Sequence, residues 1–287
     1  MRLKVHITQE LIDKFLRQGR GQGELGRYFP WWTVFDIASK GSRTRVRGIK
    51  TGRTHHFLSL LELTFFFLAE FSDSVLDIRE QYPLLPQTET LAIASQLGIK
   101  HSVDRLTHFP IVMTTDFLLT VRHGAADVLQ AWSVKYLKDL RNRRTLDKEE
   151  VQRRWWESKH IPWKLFTEKD VTPAQAHNVR FLFPYKKSRA LKGIPRDIIR
   201  HVSDYLQDNV RPNVLLRDLC ADYEQRYTVE KGTGLLVARH LLANGQWPID
   251  ISQKLSPHEP LRFRPQPLMS GRLLPHGASQ QFITSLA

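Results

Sequence analysis

Acidic side chains and sulfur are what this chain is short of. Its 287 residues hold 29 Asp and Glu against 43 Lys and Arg, a formal net charge of +14. A surplus that large favours a polyanionic partner, nucleic acid first, over basicity that merely solubilises. Cys220 is the only cysteine, which excludes an internal disulfide and any thiolate metal cluster and fits a reducing compartment. Long hydrophobic runs are missing too: residues 57–71, "FLSLLELTFFFLAEF", reach about fifteen, short of the ~20 that cross a bilayer. The opening "MRLKVHITQELIDKFL" has neither the apolar core nor the cleavage site of a signal peptide. The expectation is a cytoplasmic protein with no membrane association. No Gly-x-Ser-x-Gly elbow is present, so a serine hydrolase is not indicated. "GRGQG" at 19–23 lacks the Gly-Lys-Ser/Thr ending of a nucleotide cradle, leaving a basic loop against a phosphate backbone or a plain connector. A 41% hydrophobic, 25% charged composition is that of a globular chain of one large domain or two.

The patterning predicts an ordered series of elements. Ile7, Leu11 and Phe15 mark a short amphipathic helix, followed by the Gly/Arg loop and an aromatic strand through "YFPWWTVFDI". Leu58, Leu61, Phe65 and Leu68 form one apolar helical stripe. "SVLDIREQYPLLP" reads as a strand ending at Pro83. "PIVMTTDFLLTVRHGAADVLQAWSVKYL" reads as a hairpin turning at Gly124. The helix "TLDKEEVQRRWWESKH" and the strand "IPWKLFTE" follow, giving an α/β layer with a mixed sheet over residues 1–168. From 169 to 256 three helices and a half-buried strand at Trp247, Ile249 and Ile251 outline a winged helix. Residues 257–287 are a proline-rich basic tail expected to be loosely ordered.

Within this frame Glu62 is out of place, because an unpaired carboxylate in an apolar run is costly to bury. It is either an ordinary helix residue paired with Ser59 or a metal ligand. If Val121 and Val128 close the hairpin, Asp116 falls opposite Ser133 with Lys135 on the diagonal, all on one face. A register slip of one residue would separate them. An acid pair, a hydroxyl and an ammonium are what phosphodiester hydrolysis needs. Mg²⁺ held by few carboxylates neutralises the transition state, and a lysine orients water or stabilises the developing charge. Taken singly, Asp116 reads equally as a turn residue and Lys135 as a solvated edge lysine.

Further candidates are less specific. Lys138, Arg141, Arg143 and Arg144 would hold DNA phosphates beside the scissile bond or form a solvated loop. Arg79 would reach a phosphate or pair with Asp77. His55-His56 reads as a surface pair before a metal site, and Trp155-Trp156 as packing before base stacking.

The ordered segments "GRGQGELGRYFPWWTV", "KTGRTHHFLSLLEL", "SVLDIREQYPLLP", "GIKH", "VMTTDFLL" and "RTLDKEEVQRRWWESKHIPW" resemble TnsA, the endonuclease subunit of heteromeric cut-and-paste transposases. The resemblance runs from about Ile7 to Thr167 and persists more weakly in "LLANGQW". It implies a restriction-endonuclease-like (PD-(D/E)xK) N-terminal domain and a winged-helix C-terminal domain. It also implies Mg²⁺-dependent cutting of DNA at the 5′ ends of a transposon, with Mn²⁺ able to substitute. The partners implied are TnsB, which cuts the 3′ ends, and the AAA+ regulator TnsC, contacted through the C-terminal domain. By position, Glu62 and Asp116 are the implied metal carboxylates, Val134 lends its carbonyl, and Lys135 is the implied lysine. Ser133 stands where the best-known member has glutamine, so a water would bridge it to the ion. The alternatives are a non-catalytic DNA-binding or assembly scaffold and a free-standing restriction or junction-resolving nuclease.

Overall fold

The computed structural model describes residues 2–38, 42–211, 213–247 and 253–260. The chain divides into two compact units, Met1–Asp170 and Val171–Ala287. Among the described residues no helix is long and apolar enough to cross a membrane.

The first unit is built around a four-stranded sheet in the order β5 (Val75–Pro83), β6 (Thr114–His123), β7 (Ala126–Val134), β8 (Trp163–Phe166). β5, β6 and β7 are antiparallel, whereas β8 runs parallel to β7. A parallel return needs a crossover, and α4 (Arg143–Ser158) supplies it. The β6–β7 hairpin turns at Gly124, whose φ of 61° suits glycine, and Val121 pairs with Val128 as the spacing predicts. Two short ribbons stand apart from this sheet: β1 (Arg2–Leu3) with β2 (Ile37–Ala38), and β3 (Thr44–Arg47) with β4 (Thr54–Phe57).

Helices cover the sheet because its strands alternate apolar side chains between two faces. α2 (Leu60–Phe71) is buried from Leu61 onward, as a helix apolar on all sides must be. Phe65 packs on Phe117, Trp132 and Phe166 at ring separations of 4.8, 5.3 and 5.2 Å. Leu118 and Ala131 point the other way, into a cluster with Val151, Trp155 and Trp156 of α4. That cluster also takes Ala94 of α3 (Gln87–Gln96), a helix the sequence reading did not place. The expected aromatic strand is absent. Tyr28 to Asp36 forms turns, with Trp31 and Trp32 set edge-on against Phe15 of α1 (Gln9–Arg17). Asp36 folds the chain back by accepting from Thr33 N–H at 2.9 Å and Thr33 Oγ1 at 2.6 Å. These local bonds compete with a ladder, so the aromatic run becomes a buried loop.

The second unit contains α5 (Pro173–Leu182), α6 (Arg196–Asn209), α7 (Leu216–Arg226) and α8 (Thr233–Ala243). A capping box between Thr172 and Gln175 starts α5, which was not expected from the patterning. Val202, Leu206, Leu219, Tyr223, Val237 and Leu241 form the buried seam of the other three. Asn244 and Gly245 end α8. The strand expected through Ile249 and Ile251 lies outside the described residues, as does the tail from 261 onward.

Candidate active site

Asp116 occupies a break in the sheet. Phe117 faces α2 and Leu118 faces α4, so Thr115 would be expected on the α2 side. Instead its hydroxyl accepts from Trp156 Nε1 at 2.6 Å and donates to Gln152 at 3.0 Å, both on α4. Both neighbouring ladders are interrupted here. β5 pairs Glu80 with Phe117 and Tyr82 with Thr115, passing over Gln81, which adopts a left-handed φ of 49°. The β6–β7 ladder stops at Phe117 and Trp132, while β7 continues beside β8 to Val134.

The splay frees the Val134 N–H, and Asp116 takes it. Its Oδ2 accepts from Val134 N–H at 2.7 Å, from Ser133 Oγ at 3.2 Å and from the Lys135 ammonium. Ser133 and Lys135, which the register argument put on one face with Asp116, thus converge with the Val134 N–H on a single oxygen, and none of the described residues donates to Oδ1. Lys135 Nζ also lies 3.3 Å from the Val134 carbonyl. Burial alone would push the Lys135 ammonium down, but Asp116, Glu149 and Glu62 hold it well above its ordinary range. Lys135 is therefore a fixed cation rather than a proton carrier.

Glu62 arrives from the first turn of α2, where the pairing with Ser59 read from the sequence is made. Ser59 caps the helix by accepting from Glu62 N–H at 3.1 Å, and its hydroxyl donates to Glu62 Oε1 at 3.0 Å. Leu58 N–H donates to the other carboxylate oxygen at 3.0 Å. Burial, and next the nearby charge of Asp116, raise the Glu62 carboxyl from 4.5 to about 7. The capping bonds and Lys135 only partly oppose this.

A third carboxyl was missed by sequence reasoning. Glu149 of α4 is buried, lies 3.7 Å from Lys135 Nζ and accepts from Gln152 at 3.3 Å. Burial raises its carboxyl, Lys135 opposes and Asp116 adds to the rise. Its signal was present in the pattern: 149, 152 and 156 share one helical face, and Trp156 on that face is core. An acid on a core stripe invites the same question as Glu62.

The site opens into a cleft of about 1040 Å³, reached by Asp116, Lys135, Glu149, Gln152, Arg144 and Lys148. Among the described residues no three His, Cys, Asp or Glu side chains gather as a ready-made metal cluster.

The model described as TnsA-like endonuclease N terminal matches residues 72–168, and that described as TnsA endonuclease C terminal matches 170–251. A curated relative, "Transposon Tn7 transposition protein TnsA" of Escherichia coli, is 39% identical over 241 residues, covering 83% of this chain and 85% of the relative. The chain belongs to the TnsA endonuclease family. The N-terminal match holds Asp116, Ser133 and Lys135 of this TnsA chain but begins after Glu62.

The remaining predicted residues of this TnsA chain are scattered. Arg79 is buried, donates to Thr120 Oγ1 at 2.7 Å and pairs with Asp77 at 3.4 Å, so its guanidinium is committed within the protein rather than offered to a phosphate. Lys138 and Arg141 are exposed. Arg143 is exposed and pairs with Asp147 at 3.1 Å. Arg144 donates to the Lys100 carbonyl and, at 3.2 Å, to Ser102 Oγ, tying that loop to α4. His55 is buried between Thr51 Oγ1 at 2.7 Å and Glu80 at 2.8 Å, a structural network and not a surface pair. Trp155 and Trp156 are core, as expected.

Proposed function

We propose that this TnsA-family endonuclease hydrolyses DNA at the 5′ ends of a transposon through Glu62, Asp116 and Lys135. The supporting observation is the convergence on Asp116: one oxygen gathers Ser133, the Val134 N–H and Lys135. A second carboxylate, Glu62, is close enough to be raised by the charge of Asp116. The donor chemistry suits Mg²⁺, or Mn²⁺ in its place. Asp116 Oδ1, a Glu62 oxygen and the Val134 carbonyl are hard oxygens, and Mg²⁺ keeps most of its waters, so the lack of a third side-chain ligand is no obstacle. A bound divalent ion would neutralise charge on the phosphate oxygens and acidify water.

The protein's own groups have separable tasks. Lys135 places a permanent cation where a phosphate oxygen gains charge. Glu62 would supply the second carboxylate to the ion, whose charge relieves the burial and Asp116 repulsion that raise its carboxyl in the free protein. The attacking water gives its proton to solvent, its oxygen bonds to phosphorus as the P–O3′ bond breaks, and the 3′ oxygen takes a proton from solvent, leaving a 5′-phosphate and a 3′-hydroxyl. Ser133 Oγ and the Val134 N–H hold the Asp116 carboxylate in place, which gives Ser133 a positioning task. Glu149 gives Lys135 a second carboxylate partner at 3.7 Å.

The relative's title names it a Tn7 transposition protein. On that basis we place this chain beside a TnsB-type transposase cutting the 3′ ends and a TnsC-type regulator contacted through the second unit. The helices α6, α7 and α8 are compatible with the helical part of a winged helix. The test is end-labelled donor DNA with the cognate TnsB and TnsC, with and without Mg²⁺. Asp116→Asn should abolish 5′-end cleavage while 3′-end cleavage by TnsB continues. Undiminished 5′ cleavage by Asp116→Asn would favour the scaffold reading, and efficient cleavage by wild type alone would favour a free-standing nuclease.

A further inference from the structure

Lys148 is the group in the cleft that the reaction above does not use. It sits on α4 one residue before Glu149 and one turn after Arg144, whose side chain shares its helical face. Half-buried, it lines the same cleft as Asp116 and Lys135. Arg144 is spent on the Lys100 carbonyl and Ser102, and Lys135 is spent on Asp116 and Glu149. Among the described residues Lys148 forms no hydrogen bond and no ion pair. Its ammonium is lowered by burial, then by the like charges of Arg144 and Lys135, and Glu149 compensates least.

A half-buried ammonium that feels two cations, makes no hydrogen bond or ion pair among the described residues and is compensated least by Glu149 is unfavourable in the free protein. Such a group is stabilised when an anion enters beside it, and the cleft's one chemistry is phosphodiester cleavage. A DNA strand laid with its scissile phosphate at Asp116 and Lys135 must carry its next phosphate along the cleft wall. Arg144 staples that wall, and the exposed Lys100 and Arg105 extend it.

We propose that Lys148 is a positioning residue that grips the DNA phosphate next to the one being cut, and that its lack of a partner in the free protein is the counterpart of that grip. The inference rests on the cleft being the nuclease site, and the experiment separates the two.

The full chain is titrated with a fluorescein-labelled duplex carrying a transposon end, in EDTA, from about 50 to 200 mM KCl. One lost phosphate contact reduces the salt slope by about 0.9, so the affinity gap between wild type and Lys148→Met shrinks about 3.5-fold across that range. Lys148→Arg should keep the wild-type slope. Lys148→Met should unfold at the same urea concentration as wild type or a higher one, since a repelled charge is removed. In the reconstituted complex, Lys148→Met should cut about tenfold or more slowly. That defect should vanish on a substrate with a neutral methylphosphonate at the neighbouring position. A wild-type slope and rate for Lys148→Met would overturn the proposal. So would a defect of equal size on the neutral substrate, or a loss of stability accounting for the lost activity. Cleavage by Asp116→Asn would instead overturn the catalytic assignment and leave the Lys148 binding result standing.

Discussion

Glu62→Gln should make the free protein more stable while destroying its activity. The carboxyl titrates near 7 in the fold against 4.5 ordinarily, because it is buried and faces Asp116. Below about pH 4.5 it is protonated in both folded and unfolded chains and carries no penalty. As pH rises towards 7 the unfolded chain gives up the proton while the folded one retains it, so stability falls across that window. Above it the folded state carries the full difference, about 3 kcal/mol at 1.36 kcal/mol per tenfold change. Glutamine's oxygen can accept from Leu58 N–H while its amide nitrogen donates to Ser59 Oγ, which still accepts from the residue-62 N–H, so the cap survives without the charge. At pH 8 in EDTA the variant should therefore be more stable by up to about 3 kcal/mol, with the gap closing near pH 4.5. Urea unfolding followed by tryptophan fluorescence reads this well, since six of the seven tryptophans lie in the first unit. Added Mg²⁺ should stabilise wild type more than the variant, because a ligand that binds the native state raises its stability. A variant equal to or weaker than wild type at pH 8, or a gap that persists unchanged in acid, would refute the electrostatic reasoning.

Three further outcomes follow from the same geometry. Lys135→Ala should slow 5′-end cleavage by about 10²–10³-fold in a single-turnover gel assay with saturating partners, the loss expected for one fixed charge at a developing oxyanion. Arg53→Met should cost about 3–5 kcal/mol in urea unfolding, because Glu80 stays buried and loses a bidentate partner held at 2.8 and 2.5 Å. Burial opposes ionisation of Glu80, but His55 and Arg53 hold it well below the carboxylate range, so removing one of them exposes that cost. Thr115→Val should cost about 1–3 kcal/mol by leaving Trp156 Nε1 without its acceptor, and a shifted indole N–H resonance should report it.

Much of the site was legible because strand geometry is local. Gly124 set the turn, the turn set Val121 opposite Val128, and that register carried Asp116, Ser133 and Lys135 to one place. What the register could not show is that the ladder ends one pair early. The sequence reading placed Asp116 across from Ser133 on an intact ribbon, whereas the carboxylate instead fills a gap left by diverging strands. Glu62 was legible as an anomaly in an apolar run. Glu149 carried the same mark, on the column of Trp156, but within "DKEEVQRR" it is masked by charged neighbours that read as a solvated face, and Lys148 is one of those neighbours. For Arg79 the local alternative held, the pairing with Asp77, while its bond to Thr120 was not legible because that partner comes from another strand. The turns from Tyr28 to Asp36 escaped because aromatic content favours strands on average, while the Thr33–Asp36 bonds decide the local path.

The divergence of β6 from β7 bears on when the enzyme can be dangerous. Asp116 is aimed only when β7 has docked on both neighbours, Lys135 only when α4 has crossed to bring β8 alongside, and Glu62 only when α2 has closed over the opposite side. On the proposed assignment, a nascent or partly unravelled chain would carry these side chains without bringing them together, and cutting would wait for the whole sheet to fold.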